Sequence, residues 1–340
     1  MSTASGIVRH ALQSRLVRVV TAVVVLAAAA MAWWLAVPDG VAYPKGTFGM
    51  ATGSPGGVYA MYGKLLKPVV QREMPGVDLR LDPTAGGPQN LQRIVAGQDV
   101  FGIATADSVA HFTGPGATQL RALGRLYDDY VQLVVPSDSP IHSIADLRGK
   151  VVGVGQADSG VALIAKRVLQ VSGLSGQGVL TPLPLGIDDS ATELREGRID
   201  AFFWSGGLPS TAVTTLSKQM HIRLIPLGQL STAMDALAGA EDPGARNTQI
   251  YRSSTMPTSA YPATVPDQAV STLAVANLMV TRADVPDGLV ERMTGVLIDS
   301  RDEIGVKVHS AQTVDIRSAI YTDPLPLAEG ARRYYVSVKP

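Results

Sequence analysis

The feature that most constrains the fold is a repeated order of short apolar segments and longer amphipathic segments. Residues 47–52, 77–84 and 101–105 have the character of short strands, and segments of helix length over 58–74 and 88–97 separate them. Strands that alternate with helices predict an α/β fold, in which a sheet carries helices on its faces.

The same order begins again after Pro136. It predicts strands near 150–155, 179–185, 199–204 and 224–227, with helices over 160–172 and 188–196. The stretch 240–266 is rich in Pro, Ser, Thr and Gly, which predicts a long surface loop. A buried strand is predicted over 271–281, followed by helices from about Asp287.

These segments predict two α/β lobes behind a leading segment, residues 1–43. Residues 44–135 form the first lobe and residues 136–262 the second. The remaining residues, 263–340, show no unit of their own, and we expect them to complete the first lobe. A chain that crosses twice between two lobes predicts a hinged clamp, with a ligand cleft at the carboxyl ends of the strands.

An uncharged apolar run covers residues 19–37, close to the roughly 20 residues that cross a bilayer as a helix. Arg9, Arg15 and Arg18 precede it, which predicts a cytoplasmic N-terminus. We therefore expect a single-pass transmembrane helix in the lipid bilayer and a folded part on the extracytoplasmic face. The alternative is a signal peptide cleaved near Ala42, which would release the protein.

Composition and residue spacing exclude several classes of function. Lys and Arg together number 29, as do Asp and Glu, so no basic field for nucleic acid is present. Cysteine is absent, and the five histidines are scattered without metal-ligand spacing, which argues against a metal centre. No serine has a histidine and a carboxylate at recognisable spacing, so neither an enzyme nor a cofactor is expected.

Three glycine-containing turns join predicted strands to predicted helices: Ala51–Tyr59 (ATGSPGGVY), Thr84–Asn90 (TAGGPQN) and Gly155–Gly160 (GQADSG). The N-terminus of a helix presents free N–H groups and a partial positive charge. The turns therefore predict backbone-amide cradles for a small anionic group. Any one of them could equally be only a tight turn.

Three side chains near these turns carry alternative interpretations. Trp204 ends a predicted strand, where its indole either faces the cleft or packs the strand end. Asp107 follows the strand FGIAT and is either a helix N-cap or a contact for a ligand ammonium group. Tyr59 either packs its helix or reaches a ligand.

Six ordered segments between residues 51 and 282 resemble one family. They are ATGSPGGVY, TAGGPQNL, FGIATAD, IADLRGKVVGVGQADSG, EGRIDAFFWSGGLP and STLAVANLMVTR. They are similar to the TAXI-type (TRAP-associated extracytoplasmic immunogenic) solute-binding proteins of TRAP transporters. The resemblance implies a type II periplasmic-binding-protein fold that captures a small organic anion, commonly glutamate or a dicarboxylate, for TRAP membrane subunits.

The resemblance also implies the positions that face the ligand. Together with Trp204 they are Thr52, Gly53, Ser54, Gly57, Tyr59, Thr84, Gly86, Asn90, Asp107, Ser159, Gly160, Gly207 and Pro209. Asp158 stands where the family usually has glycine, and this added negative charge favours an amino acid or a monocarboxylate over a dicarboxylate. The alternative function is a membrane-anchored sensory domain that binds the same kind of ligand and regulates rather than transports.

Overall fold

The computed structural model describes residues 22–28, 31, 41–241, 249–261 and 263–339. Its strands in these ranges are β1 (Gly46–Ala51), β2 (Val77–Asp82), β3 (Phe101–Thr105), β4 (Leu120–Pro136), β5 (Val151–Gly153), β6 (Thr181–Leu183), β7 (Ala201–Gly206), β8 (Ile222–Leu224), β9 (Tyr251–Met256) and β10 (Val270–Arg282).

The α-helices of the folded part are also numbered in chain order. They are α1 (Val58–Glu73), α2 (Gly87–Val95), α3 (Ala106–Ala110), α4 (Gly160–Val171), α5 (Ile187–Arg195), α6 (Thr211–Gln219), α7 (Ser231–Glu241), α8 (Asp287–Asp299), α9 (Arg301–Gly305), α10 (Ile316–Ala319) and α11 (Glu329–Ser337).

One mixed sheet contains all of these strands, in the order β2-β1-β3-β10-β4-β7-β5-β6, with β8 on β4 and β9 on β10. Two parallel groups form its ends: the first sub-sheet is β2-β1-β3, and the second is β6-β5-β7. Both use the same strand order, in which the first strand of each group lies in the middle. The antiparallel strands β4 and β10 join the two groups.

The hydrophobic side chains form separate clusters on the two sub-sheets. The first cluster joins residues of α1, such as Leu66, to residues of α8, such as Leu289. A second cluster lies between α4, β7 and the far end of β4. Along β4 the first cluster ends at Tyr127, and the second begins at Val131.

Strands β4 and β10 are therefore shared between two cores, each strand giving one end to each. Their pairing is irregular where the cores meet: Ala276 pairs with Asp128, but Leu278 pairs with Arg125. This bulge lies near the middle of both strands. The predicted lobe boundaries lie elsewhere: 135/136 is at the end of β4, and 262/263 comes before the start of β10. The division into two hinged lobes stays our interpretation of this arrangement.

The predicted α/β order is confirmed over most of the chain. The segment predicted at 101–105 is β3, which is buried throughout, and the helix predicted over 58–74 is α1. Ser143 and Asp146 form a capping box at the start of a short 3-10 turn.

Two strands are not predicted from the sequence. β4 contains four charged residues within its apolar pattern, which conceal a 17-residue strand. β9 lies inside the stretch 240–266 that predicts only a loop, and its exposed Ser and Thr side chains give it a polar face.

The predicted membrane-spanning segment, residues 19–37, lies mostly outside the described residues. Residues 22–28 and 31 of this segment are described and are helical. Within the described part of the chain, no helix combines the length and the apolar character that crossing a membrane requires.

Candidate functional site

Four helices begin at the wall of one cleft. The N-cap residues of α1, α2, α4 and α5 all lie in its lining: Gly57, Gly86, Ser159 and Gly186. Each helix follows a parallel strand, so the four N-termini emerge at the carboxyl ends of the two sub-sheets. In open α/β sheets, ligands bind at this edge, where the strand order reverses.

Backbone N–H groups supply the positive potential of the cleft. The first N–H groups of a helix have no partner within it, and its N-terminus carries about half an elementary charge. Three of the four N-caps are glycines, which have no side chain to accept from the first turn, whereas the Ser159 Oγ accepts from the N–H of Ala162 at 3.1 Å. No Lys, Arg or His is found among the described residues of the lining. The cleft is therefore suited to an anion held by N–H groups.

One side of the cleft is apolar. The empty volume of the cleft is about 680 Å³, including space open to solvent. Apolar side chains cover part of the wall: Val58, Val161, Ile164, Leu185, Ile187, Phe203 and Trp204. Pockets that combine apolar walls with a few polar groups are typical of small-molecule sites.

The turns of the two sub-sheets approach each other closely across the cleft. A Cβ atom on Gly86 would lie 3.8 Å from the backbone nitrogen of Gly160, and Gly86 has a φ of +122°, which favours glycine. A Cβ atom on Gly56 would lie 2.8 Å from the Asp188 carboxylate, at the start of α5. Glycine at these positions lets the two sub-sheets approach each other at the cleft.

Asp129, in the middle of β4, has the one carboxyl group among the described residues of the lining. The side chain is 3% exposed. The Asn277 Nδ2 on β10 donates to Asp129 Oδ1 at 2.7 Å, and the Tyr59 hydroxyl on α1 lies 3.4 Å from Oδ2. The same hydroxyl donates to Asn277 Oδ1 through a short hydrogen bond. These three side chains connect β4, β10 and α1 at the cleft.

Burial raises the pKa of the Asp129 carboxyl from 3.8 to about 7, because an ionised group loses its hydration there. The hydrogen bond from Asn277 lowers this pKa, and the nearby Asp107 raises it. Burial also raises the pKa of the Tyr59 phenol well above its usual value. Tyr59 therefore remains protonated at neutral pH and serves as a hydrogen-bond donor.

Eight of the predicted site residues lie in the lining of the cleft. They are Gly53, Ser54, Gly57, Tyr59, Gly86, Ser159, Gly160 and Trp204. Both interpretations of Trp204 hold in part, since its ring lines the cleft while its Nε1 donates to the Ser210 Oγ at 2.7 Å. A ligand-binding role for these eight residues stays a prediction.

Three further predicted residues, Thr52, Thr84 and Asn90, lie outside the cleft lining and form hydrogen bonds that hold its turns. The Asn90 side chain is completely buried, and its Nδ2 donates to the backbone oxygen atoms of Thr52 and Ile103. The Thr84 Oγ1 donates to the backbone oxygen of Thr52 at 3.1 Å and accepts from the N–H of Gly86 at 3.0 Å. These bonds fix the two turns against each other.

Asp107 lies outside the lining of the cleft. Its side chain is fully buried and accepts hydrogen bonds from the Tyr251 hydroxyl at 2.9 Å and from the Ser108 N–H at 2.8 Å. The interpretation of Asp107 as an N-cap is wrong, because Thr105 occupies that position of α3. Asp107 instead lies in the first turn of this helix.

The last two predicted residues follow β7. Gly207 is buried, and a Cβ atom there would lie 2.5 Å from the Ser310 Oγ. Pro209 is exposed and follows a cis peptide bond. Neither of them lies in the lining of the cleft.

Two notable residues of the cleft lining, Asp129 and Gly186, are not predicted from the sequence. Asp129 belongs to the unpredicted strand β4, where two adjacent aspartates, Asp128 and Asp129, interrupt an apolar pattern. Gly186 caps α5 after β6, but it is a single glycine between apolar residues and gives a weaker signal than the three glycine-containing turns.

A comparison with known families decides the relationship. The chain matches the NMT1-like family over residues 50–337. It belongs to the NMT1-like family. This match covers all four helices that begin at the cleft and both sub-sheets apart from residues 46–49 of β1. The narrower assignment to the TAXI-type proteins stays a prediction.

Solved structures share the fold of this NMT1-like chain. The periplasmic aliphatic sulphonate binding protein SsuA from Escherichia coli is 16% identical, with 88% of this chain and 84% of that chain covered and a TM-score of 0.50. The periplasmic binding protein BugD is 13% identical, with 78% and 88% covered and a TM-score of 0.53. A protein of Bordetella bronchiseptica RB50 is 15% identical, with 87% and 90% covered and a TM-score of 0.51.

At these identities the likeness concerns the fold alone. It confirms the expected periplasmic-binding-protein fold of mixed α/β type.

Proposed function

We propose that this chain is an extracytoplasmic solute-binding protein that captures a small organic anion for a membrane transporter. The observation that carries the proposal is the convergence of four helix N-termini on one cleft whose described lining contains no cationic side chain. Such N-termini bind carboxylates, sulfonates and phosphates through backbone N–H groups. Binding at this site is not a catalytic step.

Binding would bring the two lobes together around the solute. The cleft lies beside the point where β4 and β10 pass from one core to the other. A ligand that contacts N-termini on both sub-sheets binds the closed arrangement more tightly than an open one, and this differential affinity drives closure.

The resemblance of six sequence segments to TAXI-type proteins favours a TRAP-type secondary transporter as the partner and a glutamate-like amino acid or carboxylate as the solute. The SsuA structure is named for aliphatic sulphonates, a second class of small organic anion. We place the protein at the extracytoplasmic face, tethered through residues 19–37 or released by cleavage near Ala42.

Titration calorimetry of the full chain tests the proposal. The panel contains glutamate, glutamine, α-ketoglutarate, succinate and an alkanesulfonate. We expect heat with at least one of them and its loss in Gly160→Leu, which adds a side chain to the cleft lining. Ala240→Leu, on the exposed side of α7, is the control and should bind like the unchanged protein. A folded protein that gives no heat with any organic anion would contradict the proposal.

The transporter class needs a separate measurement. Uptake into cells that express this chain with TRAP membrane subunits should depend on an ion gradient and not on ATP. Dependence on ATP would instead identify a primary transporter as the partner, while binding without uptake through any membrane subunit would favour the sensory alternative.

A further inference from the structure

A carboxylate lies in a cleft that is otherwise built for an anion. Asp129 is 3% exposed and lines the cleft with the four helix N-termini. An ionised carboxylate there would repel an anionic solute that had no other charge. The cleft therefore contains partial positive charge at the helix N-termini and a negative charge at Asp129. A ligand that fits both has an anionic group and a cationic group.

The hydrogen bonds around Asp129 leave one oxygen available. Oδ1 accepts from Asn277 at 2.7 Å. The Tyr59 hydroxyl has a single proton, and its short hydrogen bond to Asn277 Oδ1 uses it, whereas Asp129 Oδ2 is 3.4 Å from that hydroxyl. Oδ2 therefore retains the capacity to accept from a ligand donor.

No cationic side chain of the described residues pairs with Asp129. Among the ion pairs of the described residues, none includes it. The titratable groups that face it are Tyr59 on α1, Tyr127 on β4 and Asp107 at the start of α3, and none of them is a cation. The cost of burying an unpaired carboxylate is consistent with its elevated pKa.

We propose that Asp129 binds a positively charged group of the solute, so that the solute is a zwitterion whose anionic end lies at the helix N-termini. This inference rests on the proposed function. It assigns the contact with an ammonium group to Asp129 rather than to Asp107. Asp107 is fully buried outside the cleft lining and accepts a hydrogen bond from the Tyr251 hydroxyl. Asn277 and Tyr59 hold the carboxylate in position from β10 and α1.

The location of Asp129 also connects the contact to closure. Asp129 lies on β4 between the last residue of the first core and the first residue of the second, and Asn277 lies within the bulge of β10. A ligand cation on Asp129 therefore binds at the point about which the two sub-sheets would move.

Matched pairs of solutes test the inference on the full chain. Each pair differs only in the amino group: L-alanine and propionate, L-leucine and isocaproate, L-glutamate and glutarate, taurine and ethanesulfonate. For any pair that binds, calorimetry should show the amino member binding about 10- to 100-fold more tightly, the range expected for a hydrogen bond between charged groups. Asp129→Asn should remove most of this preference, and Asp138→Asn, an exposed aspartate, should leave it unchanged.

The results separate the two proposals. If neither member of any pair binds, both the proposed function and this inference fail. If the anion binds as tightly as its amino partner, or if Asp129→Asn retains the preference, the function stands and the inference is wrong. If the variant does not fold, a lack of preference in the unchanged protein still overturns the inference, and the pH dependence of a preference assigns it to Asp129.

The pH dependence gives a second, independent result. A cation site requires ionised Asp129, so affinity for the amino member should rise from about pH 6 to about pH 8. A fall over the same range would show that protonated Asp129 donates to an anion, which would overturn the inference.

Discussion

Replacing Asp129 with asparagine should stabilise the ligand-free protein at neutral and alkaline pH. Asparagine has the same shape and keeps the network closed. The Asn277 Nδ2 can still donate to the oxygen at position 129, and the new amide can donate to the Tyr59 hydroxyl oxygen while that hydroxyl donates to Asn277. The substitution therefore removes a buried charge without leaving a partner unsatisfied.

The size of the effect follows from the pKa of Asp129, which burial raises from 3.8 to about 7. The folded protein holds this proton more tightly than the unfolded chain does. This tighter proton binding adds to the free energy of unfolding. The contribution is fully present below pH 3.8 and is lost as the pH rises through about 7. The difference is about three pH units, and each unit corresponds to about 1.4 kcal/mol. At alkaline pH the unchanged protein therefore loses about 4 kcal/mol of its free energy of unfolding, a loss that the asparagine variant avoids.

Urea unfolding at a series of pH values measures this quantity. The free energy of unfolding of Asp129→Asn, minus that of the unchanged protein, should rise from near zero at about pH 4 to about 4 kcal/mol at about pH 8. Titrating groups that do not interact with Asp129 cancel in this difference, and Asp138→Asn should show a small difference at every pH. A difference for Asp129→Asn that does not change with pH, or a variant less stable at alkaline pH, would refute the reasoning.

Three further predictions concern the walls of the cleft. Gly86→Ala should lower the free energy of unfolding by about 1–3 kcal/mol because of its positive φ. Gly186→Ala, at an N-cap with an ordinary φ and open space around its Cβ, should cost less, and equal losses in urea unfolding would contradict this. With the two N-terminal tryptophans replaced by phenylalanine, Trp204 fluorescence should change on ligand binding, and binding heat without such a change would exclude Trp204 from the site. Asn90→Ala should cost about 1–3 kcal/mol, since it leaves a buried carbonyl without its donor. Gln92→Ala, exposed on the same helix, should cost little, and a loss as large as that of Asn90→Ala would contradict the assignment.

The three glycine-containing turns were predictable because their signals are local. In each, a buried strand, a turn with glycine and the start of an amphipathic helix follow one another within about ten residues. The parallel arrangement of such units then brings the turns to one edge of the sheet. The sequence therefore predicts the side of the cleft at which the helix N-termini lie.

The carboxylate side was not predictable in the same way. The hydrogen bond between Asn277 and Asp129 joins residues 148 positions apart, and that between Tyr59 and Asn277 joins residues 218 apart. No local pattern indicates that β4 and β10 pair at this place. Even the adjacent aspartates in β4 have different environments, because Asp128 forms ion pairs with Arg125 and Arg252 and Asp129 faces the cleft.

The sharing of β4 and β10 by two cores determines how this protein can be divided. A fragment that contains only one of the two cores would end in the middle of β4 or β10. The apolar side chains of that half-strand would then be exposed to solvent. A cut inside residues 120–136 would thus damage both cores at once. A circular permutant opened at an exposed turn keeps both strands whole, so engineered sensors based on this chain should relocate the chain ends rather than split the molecule into complementing halves.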